Sequence, residues 1–252
     1  MRIINTYFII YYFMIKTIYI LWFQGFDNAP ELIQKCLHSW KFYNPDWNII
    51  LIDDTNLHHY IHLDTYIHNI HDKHIEKCHL ADIIRTILLN IYGGLWVDAT
   101  TFCNKPLNDW LPHFISQGFF AFERPGPDKL LSNWFLYSDP HNYIISEWST
   151  STVNYYILND KAHNYSIHHY LFGDLYNSNH TFKSIWDTVP KLSANDFGPH
   201  YLQQKGMFNT LTSQIKHDID NKITPLYKLT YKCNFPQYDP SLNLFYLYST
   251  LN

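Results

Sequence analysis

The sequence predicts an α/β domain, and three observations carry that expectation. Short apolar runs rich in β-forming residues, at 17–23, 48–52 and 95–97, alternate with stretches of helical periodicity. Acidic residues follow two of the runs directly, as Asp53-Asp54 and as Asp98. The 252 residues are 46% hydrophobic and 16% charged, enough apolar material to bury a substantial core. Open α/β sheets bind ligands beyond the carboxyl ends of their parallel strands, which is where these acids fall.

Composition removes several alternatives. The apolar fraction excludes a disordered chain, and eight Gly with twelve Pro exclude collagen-like or low-complexity architectures. Eighteen basic residues against twenty-two acidic ones give a net charge of −4, which argues against a nucleic-acid partner. Cys36, Cys78, Cys103 and Cys233 lie far apart with no CxxC pair. They read as free, mostly buried thiols in a reducing, cytoplasmic compartment.

The elements follow in order. Residues 1–16 form an apolar extension, read as structure packed on the domain. Its run between Arg2 and Lys16 is thirteen residues long, short of the ~20 a spanning helix needs. Peripheral membrane contact through residues 1–15 is the alternative, since Tyr7, Tyr11 and Tyr12 suit an interface. Residues 17–23 form the first buried strand. Asp27 or Asn28 then caps a helix with Pro30 in its first turn, and Leu32, Ile33, Cys36, Leu37 and Trp40 keep its apolar face until Asn44-Pro45. Residues 48–52 are a second strand, completing a βαβ unit with a right-handed crossover in a parallel sheet. The clearest helix covers 76–92, and Gly93-Gly94 stops it before a short strand at 95–97. Beyond lie strands at 119–122 and 134–137, helices at 140–156 and 163–176, and an ordered tail element at 225–232.

The informative stretch is Ala81-Asp82-Ile83-Ile84-Arg85, followed by Tyr92-Gly93-Gly94-Leu95-Trp96-Val97-Asp98-Ala99-Thr100. Taken singly, Asp82 and Arg85 read as an exposed i,i+3 pair worth about 0.2–0.5 kcal/mol. Asp98 taken singly reads as a turn cap through Thr100 or Thr101. Arranged around Gly-Gly, the three charges converge on the rim of the sheet.

That arrangement resembles the DXD-type glycosyltransferases of the GT-A fold. It is most similar to the capsular polysaccharide synthesis proteins, relatives of the yeast-type mannosyltransferases and of the large clostridial glucosyltransferase toxins. Their pattern A-D-x-x-R, a helix remainder, then G-G-x-[WY]-x-D is complete here. The opening Leu21-Trp22-Phe23-Gln24-Gly25-Phe26-Asp27-Asn28-Ala29-Pro30 also matches, as do Asn44-Pro45-Asp46-Trp47 and the tail Tyr227-Lys228-Leu229-Thr230-Tyr231-Lys232. The likeness is strong over 17–110, patchy to about 235 and absent over 1–14.

The resemblance implies a single Rossmann-like GT-A domain over 17–252, with 17–110 the nucleotide-sugar half and 111–252 the acceptor side and tail. It implies transfer of a sugar from a nucleotide-sugar, a UDP-sugar with retention, to a glycan or polysaccharide acceptor. Asp98 matches the first acid of the DXD motif, which holds a divalent metal, Mn²⁺ or Mg²⁺. Asp82 and Arg85 match the pair that grips the donor sugar, and Trp22 would lie beside the base. Asn133 and Trp134 fall on an element that borders the sugar pocket in relatives. Lys228 and Lys232 are candidates for a cation beside the leaving diphosphate. One departure is clear: the second acid of the motif is Thr100, so the metal pair is Asp98 with Thr100, and such ions favour several oxygen ligands. That departure supports the alternative of a non-catalytic module binding sugar nucleotide or glycan. A dinucleotide oxidoreductase is disfavoured because the first βα turn lacks G-x-G-x-x-G. The dense histidines of 58–79, with His58 and His62 at i,i+4, read as polar residues of a helical surface. The helix with His168, His169, Tyr170 and Asp174 receives no role.

Overall fold

A computed structural model describes residues 14–251; the predicted extension up to residue 13, with its membrane contact, lies outside the described residues. Strand β1 (Thr17–Leu21) leads through helix α1 (Glu31–Tyr43) to β2 (Asn48–Ile52), which pairs with it in parallel. Helix α2 (Lys77–Tyr92) then delivers β3 (Gly94–Asp98) to the other side of β1, again in parallel, with Leu21 level with Asp98. The remaining two sheet strands, β5 (Phe119–Glu123) and β6 (Leu131–Ser138), are antiparallel, so the sheet is mixed, in the order β2-β1-β3-β6-β5. Strand β4 (Thr101–Cys103) leaves the sheet after Asp98 and pairs with the tail strand β7 (Leu226–Lys228).

Alternation along β1 divides the core. Ile18 and Ile20 face a cluster with α1, while Tyr19 and Leu21 face one with α2. The second cluster also takes in α3 (Tyr143–Leu158), α4 (Ile167–Ser178) and α5 (His180–Thr188). Short helices α6 (Tyr201–Lys205), α7 (Ser213–Asp220) and α8 (Asn243–Ser249) close the first.

Several boundaries move for local reasons. Asp27 and Asn28 do not cap α1: the Ala29 amide donates to Phe26 O, holding both in an exposed turn, and Pro30 stands at the cap position. Helix α3 starts after Asn142, whose side chain accepts from the Ile144 amide at 3.0 Å, because His141 takes a left-handed φ of 57°. The histidine-rich segment is a series of one-turn 3₁₀ pieces, not a helical surface. Ile61, Leu63, Ile67 and Ile70 anchor it, and His58, His59, His62, His68, His71 and His74 are exposed. All four cysteines are free, but only Cys36 and Cys103 are buried. Among the described residues no helix is long and apolar enough to cross a membrane.

The two glycines after α2 do more than end a helix. Gly93 has φ 64°, and a Cβ there would fall 2.6 Å from Pro140 Cδ; at Gly94, φ 101°, it would fall 2.8 Å from Thr17 O. Only glycine lets β3 start this close to β1.

Candidate functional site

A cavity of about 440 Å³ opens at the carboxyl end of β1 and β3, within the roughly 300–1,000 Å³ of small-molecule sites. Helix α2 forms one wall. Its three-residue spacing turns both Asp82 and Arg85 toward the sheet edge, where they are 6% and 4% exposed, so they are not the surface pair of the single-residue reading. The Arg85 guanidinium lies 3.2 Å from Asp82 Oδ1 and 3.3 Å from Asp98 Oδ1, bridging the acid of the helix to the acid of the strand. Its Nη1 also donates to Asn133 O at 2.6 Å, and its Nε to Ala81 O at 3.2 Å. The Trp96 ring packs 5.1 Å from the guanidinium carbon, and the indole N–H donates to Asp98 Oδ1 at 3.1 Å.

Asp82 is held from three further sides. Asn133 Nδ2 donates to its Oδ1 at 2.9 Å, His168 Nδ1 lies 3.3 Å from the same oxygen, and His79 Nδ1 lies 3.5 Å from Oδ2. His168 is itself fixed, stacked on Trp148 with ring centroids 4.1 Å apart. Burial alone would raise the Asp82 carboxyl, but His168, Arg85 and the hydrogen bonds outweigh it and hold the group well below the usual carboxylate range. Burial pushes His168 down from its ordinary value, against the pull of Asp82. Burial likewise takes His169 down to about 3.

Asp98 is the more open acid, 27% exposed at the side chain. Opposite it, β7 runs antiparallel to β4 with Lys228 level with Thr101, which carries Lys228 Nζ to 2.8 Å from Asp98 Oδ2 and 2.7 Å from Thr100 Oγ1. Burial opposes ionisation of Asp98, yet Lys228 first and then Arg85 hold its carboxyl below the ordinary value. The tail continues over the cavity mouth: Tyr231 meets Trp22 edge-on at 5.3 Å, and Lys232 lines the cavity.

The structure therefore brings Trp22, Asp82, Arg85, Asp98, Thr100, Asn133 and Lys232 to one cleft. Lys228 stands behind Asp98, not on the lining. Trp134 is not there: it sits on the opposite face of β6 from Asn133, 5% exposed and stacked on Phe122. The acids after β2 are elsewhere too, with Asp53 Oδ1 accepting from the Thr55 amide in a turn. Several site residues had no role in the sequence reading, Trp96, His79, His168 and His169 among them. Trp96 is the aromatic of the G-G-x-W-x-D pattern itself, which was a usable signal. The histidines carried none.

The donor set does not fit a divalent metal. Asp98 Oδ2 and Thr100 Oγ1, the two expected ligands, both accept from one ammonium, and Asp98 Oδ1 accepts from Trp96 and faces Arg85. Asp82, the other carboxylate held by Arg85, is buried, with its Oδ1 taken by Arg85 and Asn133. Mg²⁺ and Mn²⁺ require several free oxygen ligands. Among the described residues the one compact trio of candidate ligands is Glu76, Cys78 and His79, at the amino end of α2, where the helix dipole disfavours a cation.

A family model described as "Capsular polysaccharide synthesis protein" matches residues 11–248. The chain belongs to that family. Among curated relatives, this family member is 28% identical over 151 residues to "O-glycosyltransferase braB" of Annulohypoxylon truncatum, covering 53% of this chain and 36% of that protein. It is 27% identical over 107 residues to "Uncharacterized glycosyltransferase L373" of Acanthamoeba polyphaga mimivirus, covering 40% and 39%. The match thus spans well under half the length of either relative. The solved "PaToxG Glycosyltransferase" superposes with a TM-score of 0.44 at 16% identity, over 69% of this chain and 73% of that one.

Proposed function

We propose that this family member is a glycosyltransferase that takes its sugar from a nucleotide-sugar, a UDP-sugar used with retention, and passes it to a glycan or polysaccharide acceptor. The observation that carries the reading is the Asp82–Arg85–Asp98 bridge in the floor of a cleft at the carboxyl edge of the parallel strands. In that cleft Asp82 and Arg85 meet the sugar hydroxyls, since a fixed carboxylate and guanidinium together accept and donate. Trp22, backed by Tyr231, flanks the base, and Lys232 faces the diphosphate. Transfer breaks the bond from the anomeric carbon to the diphosphate, whose oxygen keeps the electron pair. The acceptor hydroxyl oxygen forms the new bond to that carbon, and its proton leaves with the diphosphate. Preorganised cations beside that oxygen stabilise charge where it develops. No protein nucleophile is assigned.

The second reading, a binding module without turnover, is favoured by Thr100 in place of the second acid. Incubation with UDP-sugars separates the two. Ligand at about a hundredfold its Kd adds about 2.7 kcal/mol of stability, readable as a rise in Tm. A rise accompanied by release of free UDP supports the transferase; a rise without release, over a range of glycan acceptors, supports the module. No rise with any nucleotide-sugar overturns the transferase and leaves the module only as a glycan binder, which a Tm rise with glycan alone would then show.

A further inference from the structure

We infer that the Lys228 ammonium, clamped between Asp98 and Thr100, is the resident cation of the cleft, so that a nucleoside diphosphate binds here without a divalent metal. The inference rests on the nucleotide-sugar reading above and goes beyond it, because the motif alone implies a metal at these two residues.

The placement is built in. Leu226, Tyr227 and Leu229 on either side of Lys228 are buried, the Leu229 amide donates to Thr100 O at 2.9 Å, and the Lys228 amide donates to Pro199 O at 2.8 Å. The ammonium is thus delivered by a strand pairing, not by a loose side chain, and lies 6.0 Å from the Trp134 ring centre. Trp134, absent from the cleft, supports the cation from behind. A metal bonded to Asp98 and Thr100 would sit about 2.0–2.2 Å from oxygens that already hold the ammonium at 2.8 and 2.7 Å. The two cannot share the clamp, and expelling Lys228 would break two hydrogen bonds, the one to Asp98 charge-assisted.

Charge balance points the same way. Asp82 and Asp98 are matched by Arg85 and Lys228, so the floor is neutral before a ligand arrives. An ammonium has three N–H donors, of which Asp98 and Thr100 take two. Lys228 lies outside the cavity lining, but its side chain is 15% exposed, so the third is open to a phosphate oxygen that settles over Asp98 and Thr100. Lys232, four residues on and lining the cavity, supplies a second positive charge from the same tail.

Two measurements on the full chain test this. The first is the electron paramagnetic resonance signal of free Mn²⁺ titrated with protein alone. The wild type should leave it undiminished, whereas a Thr100→Asp/Lys228→Gln variant, which restores two acids and removes the ammonium, should deplete it. The second is calorimetric titration with UDP. Wild-type affinity should agree within about twofold in EDTA and in Mn²⁺, and Lys228→Gln should weaken it about tenfold or more in EDTA, the scale of one charge-assisted hydrogen bond. Wild-type depletion of the Mn²⁺ signal that Asp98→Asn abolishes overturns the proposal, as does UDP binding lost in EDTA. Should Lys228→Gln unfold, Asp98→Asn/Lys228→Gln keeps the clamp uncharged and carries the same expectation. Failure to bind UDP under any condition sinks the nucleotide-sugar reading instead, while the Mn²⁺ signal still decides the fate of the clamp.

Discussion

Two regions of this chain are rich in ionisable side chains, and they behave oppositely. The segment from His58 to His74 carries six exposed histidines on and between one-turn 3₁₀ pieces, anchored mainly by the isoleucines and leucines among them. The floor of the cleft carries fewer ionisable side chains, but Asp82 and Arg85 are almost wholly buried and tied to Asp98, Asn133 and His168. In water the first set costs nothing to keep. In the second, each charge is tolerable only because the others are in place. What marks a site is convergence under burial, not the density of polar residues in the chain.

The largest effect that sharpens this contrast lies at Arg85. Arg85→Ala leaves two carboxylates in the floor without their shared partner, and stability in urea should fall by about 3–5 kcal/mol, the cost of breaking a buried pair. Arg85→Lys should recover little of the binding of a UDP-sugar, because a single ammonium cannot span both acids as the guanidinium fork does. Full recovery by lysine would reduce the bridge to an ordinary ion pair.

Next comes pH. His168 and His169 are held below their ordinary values by burial, so the unfolded chain takes up their protons first as pH falls. Their contribution to stability is complete above about pH 6.5 and is lost on the way down, for His169 toward about 3. Asp82 and Asp98, depressed below the usual carboxylate range, add to the loss below about pH 4. Melting curves between pH 7 and 5 should show the decline, and His169→Gln should flatten it. A wild-type Tm that stays level over that interval would contradict burial as a force holding these two histidines down.

The smallest effect is expected on the exposed side: His58→Ala with His62→Ala should change stability by no more than about 0.5 kcal/mol and leave nucleotide binding intact. A loss of UDP affinity in that variant would break the comparison outright.

Legibility in the sequence followed the range of the contacts. Asp82, Arg85 and Asp98 could be placed from helical spacing and one tight turn, which are local rules. Asn133 and Trp134 could be placed on a strand, but which of the two faces the cleft depends on how that strand lies against α2, and the choice fell on both. The partnership of Lys228 with Asp98 joins positions 130 residues apart, and the sequence offers Lys228 only as a candidate cation beside the diphosphate. His168 depends on the packing of α4 under Trp148, which no periodicity announces.

The glycine pair ahead of β3 has a consequence far from itself. Gly94 touches Thr17 at the start of the strand, and Asp98 emerges level with Leu21 at its end, four residues and about 13 Å away at roughly 3.3 Å per residue. A stiff strand transmits any displacement at its root to its tip. The methyl group of an alanine at Gly94 would lift β3 off β1, and the tip would carry Asp98 out of reach of Arg85 and Lys228 together. How high the acid stands in the cleft is thus gauged at the opposite edge of the sheet, by the absence of a side chain.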